Sequence, residues 1–154
     1  MTNNVARFRA RTLWPAVASL VLVVWPDQAK AQRVSNVAVI GLEYAFQAPD
    51  SLRAELTAFG FENRGKMRHE VIIYRLRAGV SPDSVFHVDQ PTRRTLTETV
   101  GILIAEPGEK ALGRILVDLS PGRTYILVCG LQDAPEKPRH LTLGMVHVLR
   151  VSSR

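Results

Sequence analysis

The sequence predicts an all-β protein, an antiparallel Greek-key β-sandwich of about seven strands. Three observations carry that expectation. Short segments rich in Val, Ile, Tyr and Phe recur through residues 32–154, and clusters of Pro, Gly and Asp separate them. No helical period is sustained beyond two turns. A chain of 154 residues, 46% hydrophobic and 22% charged, is sized and composed for one globular domain with a modest core.

The first residues stand apart from that pattern. Arg7, Arg9 and Arg11 precede an apolar run from Leu13 to Trp25, and Ala29 and Ala31 follow at A-x-A spacing. This is the layout of a Sec-type secretory signal peptide cut near Ala31. The run is thirteen residues long, short of the roughly 20 that a spanning helix needs. The sequence is therefore divided into a cleaved signal, 1–31, and a single domain, 32–154, placed in the periplasm or secreted. An uncleaved N-terminal anchor is the alternative; after cleavage no stable membrane insertion is expected. Cleavage lowers the net charge from +6 to +3 and removes both tryptophans. With so small an excess and no arginine-aromatic stripe, no nucleic-acid partner is expected.

The strands follow in order. "VSNVAVIGLEYAF" opens the domain and "QAPDS" supplies turn chemistry. In "LRAELTAFGFEN", Thr57, Phe59 and Phe61 alternate with small or polar neighbours, the period of a half-buried strand. "NRGK" turns the chain into "HEVIIYRLR". The stretch from Val85 to Thr99 is irregular, carries Pro91, and predicts a loose connection or a short helix. "TVGILIAEPGEK" gives a strand and a Pro-Gly turn; "LGRILVDLSPGRTYILVCGL" gives two strands joined at Ser120-Pro121-Gly122. "LTLGMVHVLRV" closes the domain.

On this layout the one cysteine gains neighbours. A lone cysteine in an exported chain has no internal disulfide partner, so it is a buried inert thiol or a thiol with a role. Cys129 ends "TYILVC" on the face of Tyr125 and Leu127. His140 and Met145 bracket the entry to the last strand, and His69 begins "HEVIIY". If these strand ends share one pole, a thiolate, two imidazoles and a thioether converge. That is the donor set of a trigonal His₂Cys copper site with a weak axial methionine. Zinc takes the same thiolate and imidazoles but rarely methionine.

Three segments resemble the cupredoxins, the family of plastocyanin and azurin. "FENRGKMRHEVIIYRL" resembles their strand, Asn-x-Gly turn and His-Glu pair. "LSPGRTYILVC" resembles the strand leading to their ligand cysteine, and "PRHLTLGMVHVLRV" their closing His…Gly-Met segment. The resemblance covers residues 56–76 and 119–151. It implies one mononuclear copper held by His69, Cys129, His140 and Met145, with electrons leaving through His140, the ligand it places nearest the surface. One departure stands out: ten residues separate Cys129 from His140 where the family has a few. The excess, "LQDAPEKP", is polar and proline-bearing, and is expected to bulge into solvent; doubling a loop costs only about 0.6 kcal/mol.

Other residues have plainer expectations. Arg68 and Arg139 precede the two histidines and are read as solvated, or as a docking surface for an acidic partner. Met67 is expected at the surface, His87 and His147 as structural, and Glu70 as a surface partner for an arginine. Leu141, Leu143 and Leu149 are assigned to the face of Met145. No enzyme signature is present: no redox cysteine pair, phosphate loop, H-E-x-x-H or nucleophile elbow. The reading is an exported electron-transfer copper protein with a redox or copper-handling protein partner. A metal-free binding or structural module, and copper storage or delivery, are the alternatives.

Overall fold

The computed structural model describes residues 33–152. The signal-peptide expectation for residues 1–31 lies outside them. Nine strands, two short helices and a 3₁₀ turn follow in order: β1 Ser35–Leu42, β2 Ala45–Gln47, β3 Ser51–Leu52, β4 Leu56–Asn63, β5 His69–Leu76, α1 Asp83–Phe86, α2 Gln90–Leu96, β6 Thr97–Ala105, β7 Ile115–Asp118, β8 Thr124–Val128, the 3₁₀ turn His140–Leu143 and β9 Val146–Val151. They form two sheets, ordered β2-β1-β4-β7 and β3-β9-β8-β5-β6. Strand succession crosses between the sheets at β2→β3, β3→β4, β4→β5, β6→β7 and β7→β8, as in a Greek-key sandwich. Among the described residues no helix is long and apolar enough to cross a membrane.

The expected sandwich is present, with two refinements. The opening segment breaks at Glu43-Tyr44 into the hairpin β1–β2. Two pairings, β1 with β4 and β3 with β9, are parallel, so each sheet is mixed rather than purely antiparallel. Alternation reports which face is buried but not which way the neighbouring strand runs.

The inner faces meet in one core that includes Val39, Phe59, Phe61, Val71, Ile73, Tyr125, Leu127 and Leu149. Phe59 and Phe61 come from the alternation seen in β4, and truncating such a side chain to alanine costs about 3–5 kcal/mol. The five-stranded sheet is also covered outside. Ile126, Val128, Leu76, Val85 and Leu141 form a second cluster, with Phe86 and Leu96 from the helices packed against it. This explains why "TYILV" is apolar throughout: β8 is buried on both faces. The helices occupy the stretch expected to be irregular. Asp89 caps α2 by accepting from the Thr92 N–H at 2.9 Å, and Pro91 lies in its first turn.

Candidate metal centre

The start of β5, the end of β8 and the 3₁₀ turn before β9 lie at one pole of the sandwich. His69 is set there by a turn with little freedom. Asn63, at the end of β4 and fully buried, donates from Nδ2 to the carbonyls of Met67 at 2.8 Å and Ala105 at 3.0 Å. Its Oδ1 accepts from the Gly65 N–H at 2.9 Å. Gly65 has to be bare: a Cβ there would lie 3.0 Å from Nε2 of His69 and 2.9 Å from Oε1 of Glu43. The Glu43 carboxylate accepts the Lys66 N–H, which holds its pKa below the usual carboxylate range. His69 is fully buried, and its Nε2 has no hydrogen-bond partner.

Cys129 extends β8 by one residue and is also fully buried. Its Sγ accepts from the Glu70 N–H at 3.5 Å. The Glu70 side chain is not a surface partner for arginine. Its Oε1 accepts from the Gly130 N–H at 3.0 Å, and burial raises its pKa. Alternation turns Glu70 away from His69, but toward β8, where the chain leaves the strand and its N–H groups need acceptors. Arg139 donates to the Gly130 carbonyl at 3.0 Å, and Arg68 pairs with Glu106 at 2.9 Å.

The ten-residue excursion between Cys129 and His140 is pinned at its base. The His140 N–H donates to Leu131 at 2.8 Å and the Leu141 N–H to Cys129 at 2.9 Å. Met145 joins the same lattice: its N–H donates to His140 at 2.9 Å, and its carbonyl accepts from Cys129 at 3.2 Å. The long tether therefore leaves its two ends as near as a short one would. Gly144, at φ +102°, ends the 3₁₀ turn in the left-handed region that favours glycine. Leu141 and Leu143 belong to that turn and not to a strand; Leu143 is exposed, while Met145 and Leu149 are fully buried. Met67 is exposed, as expected, and His147 bonds the Pro49 carbonyl at 3.2 Å.

Three of the four expected ligands meet. Nδ1 of His69 and Nδ1 of His140 are 3.1 Å apart, and Sγ of Cys129 lies 3.3 Å from His140 Nδ1 and 4.0 Å from His69 Nδ1. A point inside that triangle is about 2 Å from all three atoms. Metal–nitrogen bonds are about 2.0–2.1 Å and metal–thiolate bonds about 2.3 Å. Among the described residues these three form the one cluster of His, Cys and acidic side chains able to hold a metal ion. Met145 is fully buried in the same core cluster as Cys129. Burial, and then the neighbouring His140, push the His69 pKa down from 6.5, which keeps the ring neutral with a free lone pair. Burial pushes the Cys129 thiol up from 9.0, so a metal ion taking the thiolate has to displace a proton.

Two residues at this pole escaped the sequence reading. Asp133, inside the supposedly solvated spacer, turns back so that Oδ1 lies 2.8 Å from His140 Nε2. Tyr44 donates its hydroxyl to Oδ2 of the same carboxylate at 2.8 Å. These bonds, Tyr44 first and then His140, hold the Asp133 pKa below its ordinary value. The Tyr44 ring packs T-shaped against both imidazoles, with centroids 5.1 Å from His140 and 6.5 Å from His69. His140 is consequently not a surface ligand: it is only 1% exposed. A tyrosine in the turn after β1, where glycine or asparagine would be usual, was the one available signal.

No protein-family model matches the chain, and no curated protein matches it in sequence. Solved structures do. The reduced auracyanin of the photosynthetic bacterium Roseiflexus castenholzii superposes at a TM-score of 0.50 and 18% identity, covering 77% of this chain and 96% of its own. Auracyanin A of Chloroflexus aurantiacus, a "blue" copper protein, gives 0.50 at 16% identity, covering 78% of this chain and all of its own. The chain has the cupredoxin fold. Identity this low establishes the architecture alone, and the chemistry rests on the donor atoms themselves.

Proposed function

We propose that this chain is an exported mononuclear copper protein that carries electrons. The observation that supports it most is the meeting of two imidazole nitrogens and one sulfur around a point about 2 Å from each. A soft thiolate with two imidazoles suits copper, and Met145 is the candidate for a weak fourth donor. Copper bound there would supply one-electron chemistry between Cu(I) and Cu(II).

The protein residues set the conditions. Asn63 fixes the His69 turn, the Glu70 N–H holds the sulfur, and the pinned loop base fixes His140. Donors held this firmly move little between oxidation states, which favours fast transfer. Burial of Cys129, His69 and His140 favours a resident ion over cargo passed to another protein. The exit through His140 then crosses the Asp133 and Tyr44 side chains that cover it. Arg139, exposed and next to His140 in the chain, suits an acidic redox partner. Export rests on the basic, apolar and A-x-A pattern of residues 1–31.

The test uses residues 32–154, which contain the whole described fold and its core. Addition of Cu(II) under anaerobic conditions should give an intense thiolate-to-copper band in the visible, absent in Cys129→Ser. A colourless wild type with no tight Cu(I) binding in a competition assay would overturn the copper reading. Tight Cu(I) binding without the coloured Cu(II) form would favour storage or delivery.

A further inference from the structure

His140 has two ring nitrogens with different surroundings. Nε2 faces a carboxylate at 2.8 Å, and Nδ1 faces the Cys129 sulfur at 3.3 Å and the other imidazole at 3.1 Å. A neutral imidazole carries one N–H and one lone pair, and an ionised carboxylate only accepts. The proton therefore belongs on Nε2. With His140 almost wholly buried, water has little access to offer an alternative.

The carboxylate is itself fixed. One oxygen takes His140 and the other takes the Tyr44 hydroxyl, so rotation of the Asp133 side chain would break two bonds. Tyr44 holds an uncommon backbone conformation, φ +55°, for a bulky residue. That conformation accompanies a side chain whose ring packs T-shaped against His140 and whose hydroxyl reaches Asp133. Strain at such a position is found where the surroundings require it.

We propose that Asp133, held by Tyr44, is the positioning residue of this centre, locking His140 in the tautomer that aims a bare Nδ1 at Cys129 and His69. The inference rests on the copper reading for its purpose, though not for its geometry. One consequence reaches the other histidine. With the His140 proton on Nε2, a hydrogen shared across the 3.1 Å Nδ1···Nδ1 contact has to come from His69. His69 then carries its proton on Nδ1, and its unpartnered Nε2 is a bare lone pair. A buried acceptor without a partner is less unusual than a buried N–H without one.

The experiment reads tautomers first and metal second. In metal-free, ¹⁵N-labelled residues 32–154, long-range ¹H–¹⁵N correlations should show His140 protonated at Nε2 only. Asp133→Ala should populate both tautomers and weaken Cu(II) in a competition titration by about 10- to 100-fold. Asp133→Asn keeps an acceptor oxygen and should preserve the tautomer and most of the affinity; Tyr44→Phe should fall between. A wild type protonated at His140 Nδ1 would overturn the proposal. So would an Asp133→Ala protein with the tautomer and the Cu(II) affinity both unchanged. If Asp133→Ala does not fold, the wild-type spectrum and Tyr44→Phe decide. If the wild type shows the Nε2–H tautomer but takes up no copper, the positioning stands and the copper reading falls.

Discussion

His69 is delivered by the five residues between β4 and β5, and His140 by a ten-residue excursion after β8. The first route is set by backbone: Asn63 ties the turn with three hydrogen bonds, and Gly65 lets the ring lie against bare main chain. The ring is placed by packing, and its Nε2 meets no polar group. The second route is set by polar contacts: four backbone bonds close the loop, and Asp133 takes the outer nitrogen. A short connection leaves a histidine nowhere else to go. A long one needs a specific partner to choose among positions, and here the loop contains it.

The comparison can be broken most severely at Asn63. Asn63→Ala would leave the buried groups that it serves without partners, and an expected loss of about 3 kcal/mol follows. Denaturant unfolding of the metal-free protein measures it. Gly65→Ala should cost about 2 kcal/mol, because the new methyl would push on His69, which cannot yield in a close-packed site. It should also abolish tight Cu(II) binding, which separates displacement of the ligand from a general loss of stability.

A pH series sharpens the same contrast. The unfolded chain protonates His69 near 6.5, whereas the folded chain resists protonation because burial lowers that pKa. The folded state is then fully favoured above pH 6.5 and loses stability as pH falls from 6.5 toward the lowered folded value. Unfolding free energies of His69→Gln should lack this part of the acid slope. The smallest effect belongs to the far end of the long loop. Removing three residues between Ala134 and Pro138 should change stability by less than about 1 kcal/mol, since the loop ends are pinned independently. Copper affinity should not change if Asp133 remains.

The legible parts of the molecule were those with a period or a chemical type. Thr57, Phe59 and Phe61 showed the β4 face by alternation, and all three are buried. Cys129, His69 and His140 were visible as soft donors at strand ends, and the fold brings their donor atoms together. Strand direction was not legible, so the parallel β1–β4 pairing had no signal. Nor were Asp133 and Tyr44, a contact between residues 89 positions apart. An aspartate in a polar, proline-bearing loop has the composition of a solvated one. Only the fold, by carrying the β1–β2 turn to the same pole, supplies its partners. Glu70 is not legible for a related reason: alternation gives its direction but not the Gly130 N–H from which it accepts there.

Copper K-edge X-ray absorption on fully loaded residues 32–154 tests the central claim most directly. Two nitrogen neighbours at about 2.0 Å and one sulfur at about 2.3 Å are expected, with the sulfur lost in Cys129→Ser. A shell of nitrogen and oxygen alone, unchanged by that substitution, would contradict it.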